Sequence, residues 1–355
     1  GAAARLYLVV LILQTYVFEA WNIPFAVTTV MSIFLVWLYT YRSGVKTIIW
    51  TDTIQAVALV AMLIVIIWQV ADKMDLNMVS MAQTITESPH FRIFEFNDWH
   101  STQHFVKQFF SGIFIVIVMT GLDQDMMQKN LTCKNLRDAQ KNMYTYGFAF
   151  TPVNFLFLSL GILLITLAAQ ENITLPVLND DILPMFCTSG ILGDSILIFF
   201  TIGIIAAAFS SADSALTALT TSFCVDILGV EKQEAEKAKK TRMRVHVLIA
   251  VLFAVIILIF KAVNNRSIID AIYMIASYTY GPLLGLFAFG LFTKRKPRDK
   301  YIPYICIASP IFCFALYHYT QQITGYTFGY EILMINGALT FIGIWLASLK
   351  QISSQ

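Results

Sequence analysis

The chain alternates long apolar runs with short polar stretches from one end to the other. Ten runs stand out, over residues 2–18, 23–41, 48–70, 109–122, 144–169, 195–224, 245–260, 268–292, 302–317 and 332–349. Crossing a hydrocarbon core of about 30 Å takes about 20 residues of helix at 1.5 Å each. Runs such as VHVLIAVLFAVIILIF, residues 245–260, are of that class. The pattern therefore predicts an all-α polytopic membrane bundle of about ten transmembrane helices. The fourth run departs from it. FFSGIFIVIVMTGL is only about 14 residues long before Asp123, Gln124 and Asp125, and a short, glycine-interrupted segment points to a broken helix at a transporter binding site. A whole helix with a polar inner turn is the alternative.

Charges in the loops give the runs a direction. Arg42 and Lys46 follow the second run, and Lys129, Lys134, Arg137 and Lys141 the fourth. Lys232, Lys237, Lys239, Lys240, Arg242 and Arg244 follow the sixth, Lys294 through Lys300 the eighth, and Lys350 the tenth. The alternate loops carry mainly acids: Asp72, Asp75, Glu87, Glu95, Asp98, Glu171, Asp180 and Asp181. Positive charge marks the cytoplasmic side, so the chain reads as a multi-pass protein of the plasma (inner) membrane with a cytoplasmic C-terminus. Residues 71–104 become an extracellular loop and 229–244 a cytoplasmic one, within a single transmembrane domain over 1–355. The basic clusters are short and mixed with Glu231, Glu234 and Glu236. We read them as topology signals rather than a nucleic-acid surface.

Composition removes the soluble alternative. Hydrophobic residues make up 57% of the 355 and charged ones 13%, against about 45–50% and 25% in ordinary globular domains; the mean hydropathy is +0.69. Too few charges remain to coat a water-facing surface. The five cysteines show no paired spacing, so neither a disulfide framework nor a zinc site is indicated. The opening GAAARLYLVV starts inside what reads as a membrane helix, which suggests that N-terminal helices are missing.

Polar groups at membrane depth are costly and usually mark a pathway. In the sixth run Ser210, Ser214, Thr217 and Thr221 recur at i, i+4, i+7 and i+11, forming one stripe with Ser211 and Asp213 on its flanks. Gly203 and Ala206 to Ala208 keep the preceding turns small enough for a close helix neighbour. Hydroxyls alone could simply bond back to their own helix. A carboxylate at Asp213 costs about 2.5–3.5 kcal/mol there and calls for a cation, a proton or a donor. Asp52 opens the third run, either as a helix cap or on an ion pathway. Gly281-Pro282 interrupts the eighth and frees carbonyls for an ion or a kink. His100 and His104 have a metal-like spacing but no third ligand, and interfacial polarity is the preferred reading. No nucleotide loop, HExxH or nucleophile elbow occurs, and nothing marks an enzyme.

Four segments resemble the sodium:solute symporters, a family with a LeuT-type inverted-repeat fold. SGVKTIIWTDTIQ (43–55) resembles the family's GG-x-K-x-x-x-W-T-D-x-x-Q segment, with Ser43 where a second Gly is usual. GLDQDMMQKNL (121–131) resembles its G-x-[ND]-Q-x-x-x-Q-[RK] element. AAAFSSADSALTALTTSFCVDIL (206–228) is similar to its sodium-site helix, and YGPLLGLFAFGLFTKR (280–295) to its Y-x-GP-x-x-G-x-F segment. The resemblance implies sodium-coupled symport of a small organic solute (sugar, sialic acid, amino acid or carboxylate) in a lipid membrane, by alternating access. It implies a sodium ion on the Ala207 carbonyl and the Ser210 and Ser211 hydroxyls. A second sodium site, present in some members, would fall on Asp52, Ser210, Asp213 and Ser214. A hydroxyl is usual where Asp213 stands. Val116, Met119, Thr120, Asp123, Gln124 and Tyr280 become candidates for the substrate path. Sugar carriers have Asn and Tyr at the positions of Val116 and Met119, which weakens a hexose reading. A sensor input domain related to the symporters and an ion channel remain the competing functions.

Overall fold

The structure, a computed structural model, describes residues 2–18, 21–41, 45–177, 179–263 and 267–349. All ten apolar runs are helical. They are α1 (Ala2–Leu13, continued by a π-helical stretch Gln14–Phe18), α2 (Phe25–Thr40), α3 (Val45–Lys73), α5 (Phe105–Val116, continued by Ile117–Gly121), α7 (Leu136–Gln170), α9 (Asp194–Ser222), α10 (Ala235–Val263), α11 (Ser267–Phe292), α12 (Ile302–Thr324) and α13 (Glu331–Leu349). Three short helices lie between them: α4 (Met78–Thr86), α6 (Gln124–Leu131) and α8 (Ile182–Thr188). Among the described residues, six helices alone are long and apolar enough to cross a membrane, and seven if α5 and α6 count as one broken span. α1 and α2 are helical but shorter, so the count of about ten spans is approximate. The outward faces carry bare apolar side chains, among them Trp50, Trp68, Phe148 and Leu158 at 66–80% exposure. Apolar surface on that scale fits lipid rather than water.

Two helices start well before their apolar runs. α10 begins at Ala235, inside the segment expected as a cytoplasmic loop, because AEKAKKTRMR consists largely of good helix formers. α7 begins at Leu136, where the Asn135 side chain caps it by accepting the Asp138 N–H at 2.9 Å. The loop 71–104 likewise holds the last turn of α3 and all of α4, whose N-cap Asn77 and Ser80 form a reciprocal capping box.

The described residues fall into two compact units, one within 2–91 and 127–263, the other within 92–126 and 267–349. In the first unit α9 is the shared wall of two apolar clusters. One packs Phe200 and Ile196 with Leu63 and Ile66 of α3, Leu160 and Leu163 of α7, and Phe186 of α8. The other packs Ala208, Ala212 and Leu216 with Leu6 and Val10 of α1, Ile33 and Val36 of α2, and Phe253 and Ile257 of α10. A Cβ on Gly203 would stand 2.3 Å from the Met62 sulfur, so the small stripe on α9 does admit a close neighbour, and that neighbour is α3. His246 of α10 clasps the same helix, with Thr40 of α2 at 2.9 Å from its Nε2 and Thr220 of α9 at 3.1 Å from its Nδ1.

The second unit answers the question posed by Gly281-Pro282. α11 runs unbroken through Pro282. Proline has no N–H for the carbonyl four residues back, that of Tyr278. Asn336 of α13 donates to that carbonyl at 2.7 Å, and the Ser309 hydroxyl of α12 donates to the Asn336 Oδ1 at 2.6 Å. The freed carbonyl is thus held by a side chain. Gly281 makes room, since a Cβ there would lie 2.3 Å from the Asn336 side chain. Asn336→Ala is expected to lower stability by about 1–3 kcal/mol, the cost of orphaning a buried carbonyl and hydroxyl. Thermal unfolding of the purified protein checks it, and an unchanged midpoint would contradict the role given to Asn336.

Candidate functional site

Asp52 does not cap α3. The helix starts at Val45, which places Asp52 about two turns inside it. From there its carboxylate reaches α9: the Ser210 hydroxyl donates to Asp52 Oδ1 at 2.7 Å. The other carboxylate oxygen meets the Lys129 ammonium of α6, also at 2.7 Å. The same ammonium donates to the Ser214 hydroxyl at 2.8 Å. Three helices are therefore joined by one cation set between a carboxylate and a hydroxyl. Lys129 counts as a cytoplasmic loop charge when the sequence is read alone, yet its side chain is only 21% exposed.

Asp213 points elsewhere. It is fully buried and accepts the Tyr39 hydroxyl of α2 at 2.7 Å through Oδ2. The Tyr39 hydroxyl also lies 3.4 Å from the Phe209 carbonyl, and the two rings stack at 6.4 Å. Asp213 Oδ1 and the Thr217 hydroxyl, one turn further on, are buried without a hydrogen-bond partner among the described residues. The four residues expected at a second sodium site thus divide. Asp52 and Ser214 meet Lys129, Ser210 bonds Asp52, and one oxygen of Asp213 is drawn to Tyr39.

Ala207, Ser210 and Ser211 share one face of α9, each partly buried. A carbonyl and two hydroxyls are hard oxygen donors suited to an alkali cation rather than a transition metal. No cluster of three metal-ligating His, Cys, Asp or Glu side chains occurs among the described residues. The two histidines at metal-like spacing part company: the exposed His100 ring packs near Tyr326, and His104 is buried against Trp99 and Phe96.

The fourth run is interrupted, as its length suggests. A π-helical turn over Ile117–Gly121 ends at Leu122, and α6 starts at Gln124. Asp123 caps that second helix, its Oδ1 accepting the Asp125 and Met126 N–H groups at 2.9 and 3.2 Å. The π turn, with Met119 and Thr120, packs against α11, which carries Tyr280. Val116 and Gln124 are exposed. A π turn adds one residue to a helical circuit, is frequent at functional sites, and leaves no compositional trace in a sequence.

Comparison with known proteins gives the family and the fold. The sodium:solute symporter family model matches residues 11–299. The sodium/sialic acid symporter NanT of Aliivibrio fischeri is 26% identical over 303 residues, and SiaT of Proteus mirabilis 25% over 299. Each alignment takes in 81% of this chain and 58% of the relative, so the chain spans less than two thirds of the relatives it matches. The fold is also that of a Na+-coupled sialic acid symporter solved in a substrate-bound outward-open state. That match has a TM-score of 0.76 and 22% identity, and covers 98% of this chain and 71% of the other.

Proposed function

Because the chain belongs to the sodium:solute symporter family, we propose that it moves a small organic solute across the membrane by coupling it to sodium, through alternating access. The observation that carries this is the oxygen-lined face of α9. There Ala207, Ser210 and Ser211 stand together, and Ser210 is tied to a buried-side carboxylate at 2.7 Å. Sodium prefers such hard oxygen ligands, and a helix that exposes them inside a membrane needs a cation to offset the polarity. We assign the coupling ion to Ala207, Ser210 and Ser211.

The second set, Asp52, Ser210 and Ser214, already holds a cation in Lys129. A second sodium ion can enter by displacing that ammonium or by using Asp213 Oδ1 and the Thr217 hydroxyl, which have no hydrogen-bond partner among the described residues. Substrate-path residues are assigned to the interrupted fourth span, Val116, Met119, Thr120, Asp123 and Gln124, with Tyr280 of α11. The relatives carry sialic acid, which makes it the first solute to test. The alternation of basic loops supports a cytoplasmic C-terminus and an inner-membrane location.

The test is uptake by the full-length protein in proteoliposomes, across a panel of sialic acid, hexoses, amino acids and carboxylates. One solute is expected to accumulate only under an inward sodium gradient. Accumulation that ignores the gradient, or sodium currents with no solute moved, would favour a channel or sensor instead.

A further inference from the structure

Three side chains at the start of α5 depart from the rules that buried polar groups otherwise follow. His104 is the N-cap of the helix, and Lys107 and Ser111, one turn apart within it, lie within about 40° of one another. The three are 5%, 7% and 1% exposed. The His104 Nδ1, the Lys107 ammonium and the Ser111 hydroxyl all lack a hydrogen-bond partner among the described residues. A buried polar atom left unpaired costs about 1–3 kcal/mol, and a charged one more.

Lys107 is the hardest to account for. Its ammonium lies 3.9 Å from the centre of the Tyr326 ring and 5.5 Å from that of Trp99. Such faces return about 0.5–2 kcal/mol, whereas taking a charge out of water costs several. The residue also sits in the first turn of α5, the positive end of the helix dipole, and that turn holds no acid. The ion pairs among the described residues are Arg92–Glu95 and Lys129–Asp52, and neither includes it.

The described carboxylates on the surrounding elements bond other groups, and Glu95 also interacts electrostatically with His104. Glu95 accepts from Arg92 and from the Asn97 N–H, Asp98 from the His100 N–H, and Glu331 from the Tyr326 hydroxyl at 2.8 Å. Burial, and then the bond to Glu331, hold the Tyr326 phenol above its usual range, so the ring beneath Lys107 is neutral. Among the described residues no carboxylate forms an ion pair with Lys107, although Glu331 bonds the hydroxyl of the ring beneath it.

We propose that the start of α5 is a binding site for the carboxylate group of a small organic acid. Lys107 supplies the charge, Ser111 and the His104 imidazole supply hydrogen bonds, and Trp99 and Tyr326 wall the site from water. An acceptor with two oxygens can meet an ammonium and a hydroxyl one turn apart at once, and a charge-assisted bond is stronger than a neutral one. These residues belong to a different unit from Ser210 and Ser211. Occupancy is measured as binding, without reference to transport.

Acetate is the probe. The purified full-length protein is titrated with potassium acetate at constant ionic strength, sodium-free, while tryptophan fluorescence is followed. Trp99 packs on His104 at 4.8 Å and reports locally. A saturable change is expected in the wild type, lost in Trp99→Phe, weakened at least about tenfold in Lys107→Met, and kept in Lys107→Arg. Should Lys107→Met fail to fold, Ser111→Ala takes its place and must bind acetate more weakly. Equal titrations of the wild type and the folded variant overturn the proposal, as does a wild type that shows no saturation by about 100 mM. Chloride that produces the same change and competes with acetate identifies a halide site and rejects the carboxylate assignment.

Discussion

Replacing Ser210 and Ser211 together by alanine is expected to raise the sodium concentration for half-maximal uptake by about a hundredfold or more. Each hydroxyl lost from a charged partner removes about 1.5–3 kcal/mol, and every 1.4 kcal/mol is a factor of ten. The helix itself should be little disturbed, because alanine is the best helix former and both side chains are small. Solute affinity at saturating sodium should change less than sodium affinity, which separates loss of the ion site from general damage. The measurement is initial uptake rate against sodium concentration in proteoliposomes containing the full-length protein. A double variant with wild-type sodium dependence would place the coupling ion elsewhere and remove the assignment to α9.

The second large effect belongs to Lys129. Lys129→Met keeps the stem but removes the ammonium that now lies 2.7 Å from Asp52 and 2.8 Å from Ser214. Breaking a buried pair leaves an uncompensated charge, at a cost of about 3–5 kcal/mol. The side chains here are 21% and 18% exposed, so about 3 kcal/mol is the better expectation. Two further outcomes give the loss its cause. Asp52→Asn added to Lys129→Met should restore most of the stability, since no charge is then left unpaired. High sodium should also stabilise Lys129→Met more than the wild type, because the vacated carboxylate and hydroxyls can take the ion. Thermal unfolding at low and high sodium reads all three. A variant as stable as the wild type in both salts would show that the Lys129–Asp52 pair carries little energy and holds no cation position.

Much of this molecule follows from residue order alone. A lipid core demands long helices with their backbone groups satisfied internally, so apolar runs, loop charges and helix type are tied together before any packing occurs. All ten runs are helices for that reason, and the stripe Ser210, Ser214, Thr217 and Thr221 shares a face because helical periodicity leaves it no choice. Helix ends were less legible. The polar stretches before the apolar runs of α7 and α10 are helical through propensity and capping, which hydropathy does not register.

What tertiary structure decided is which partner each polar group met. Lys129 reads as one basic residue among several, and only the approach of α6 to α3 and α9 turns it into the cation between Asp52 and Ser214. Asp213 reads as a ligand beside Ser210, and the position of α2 gives one of its two oxygens to Tyr39. Pro282 announces a freed carbonyl, but Asn336, 58 residues from Tyr278, is what claims it. His104, Lys107 and Ser111 follow the same logic: their spacing is visible in the chain, their burial is not. A hydrogen bond or an ion pair depends on a few ångströms between elements far apart in sequence. Local pattern limits which side chains share a face, and the packing of helices against one another determines what that face meets.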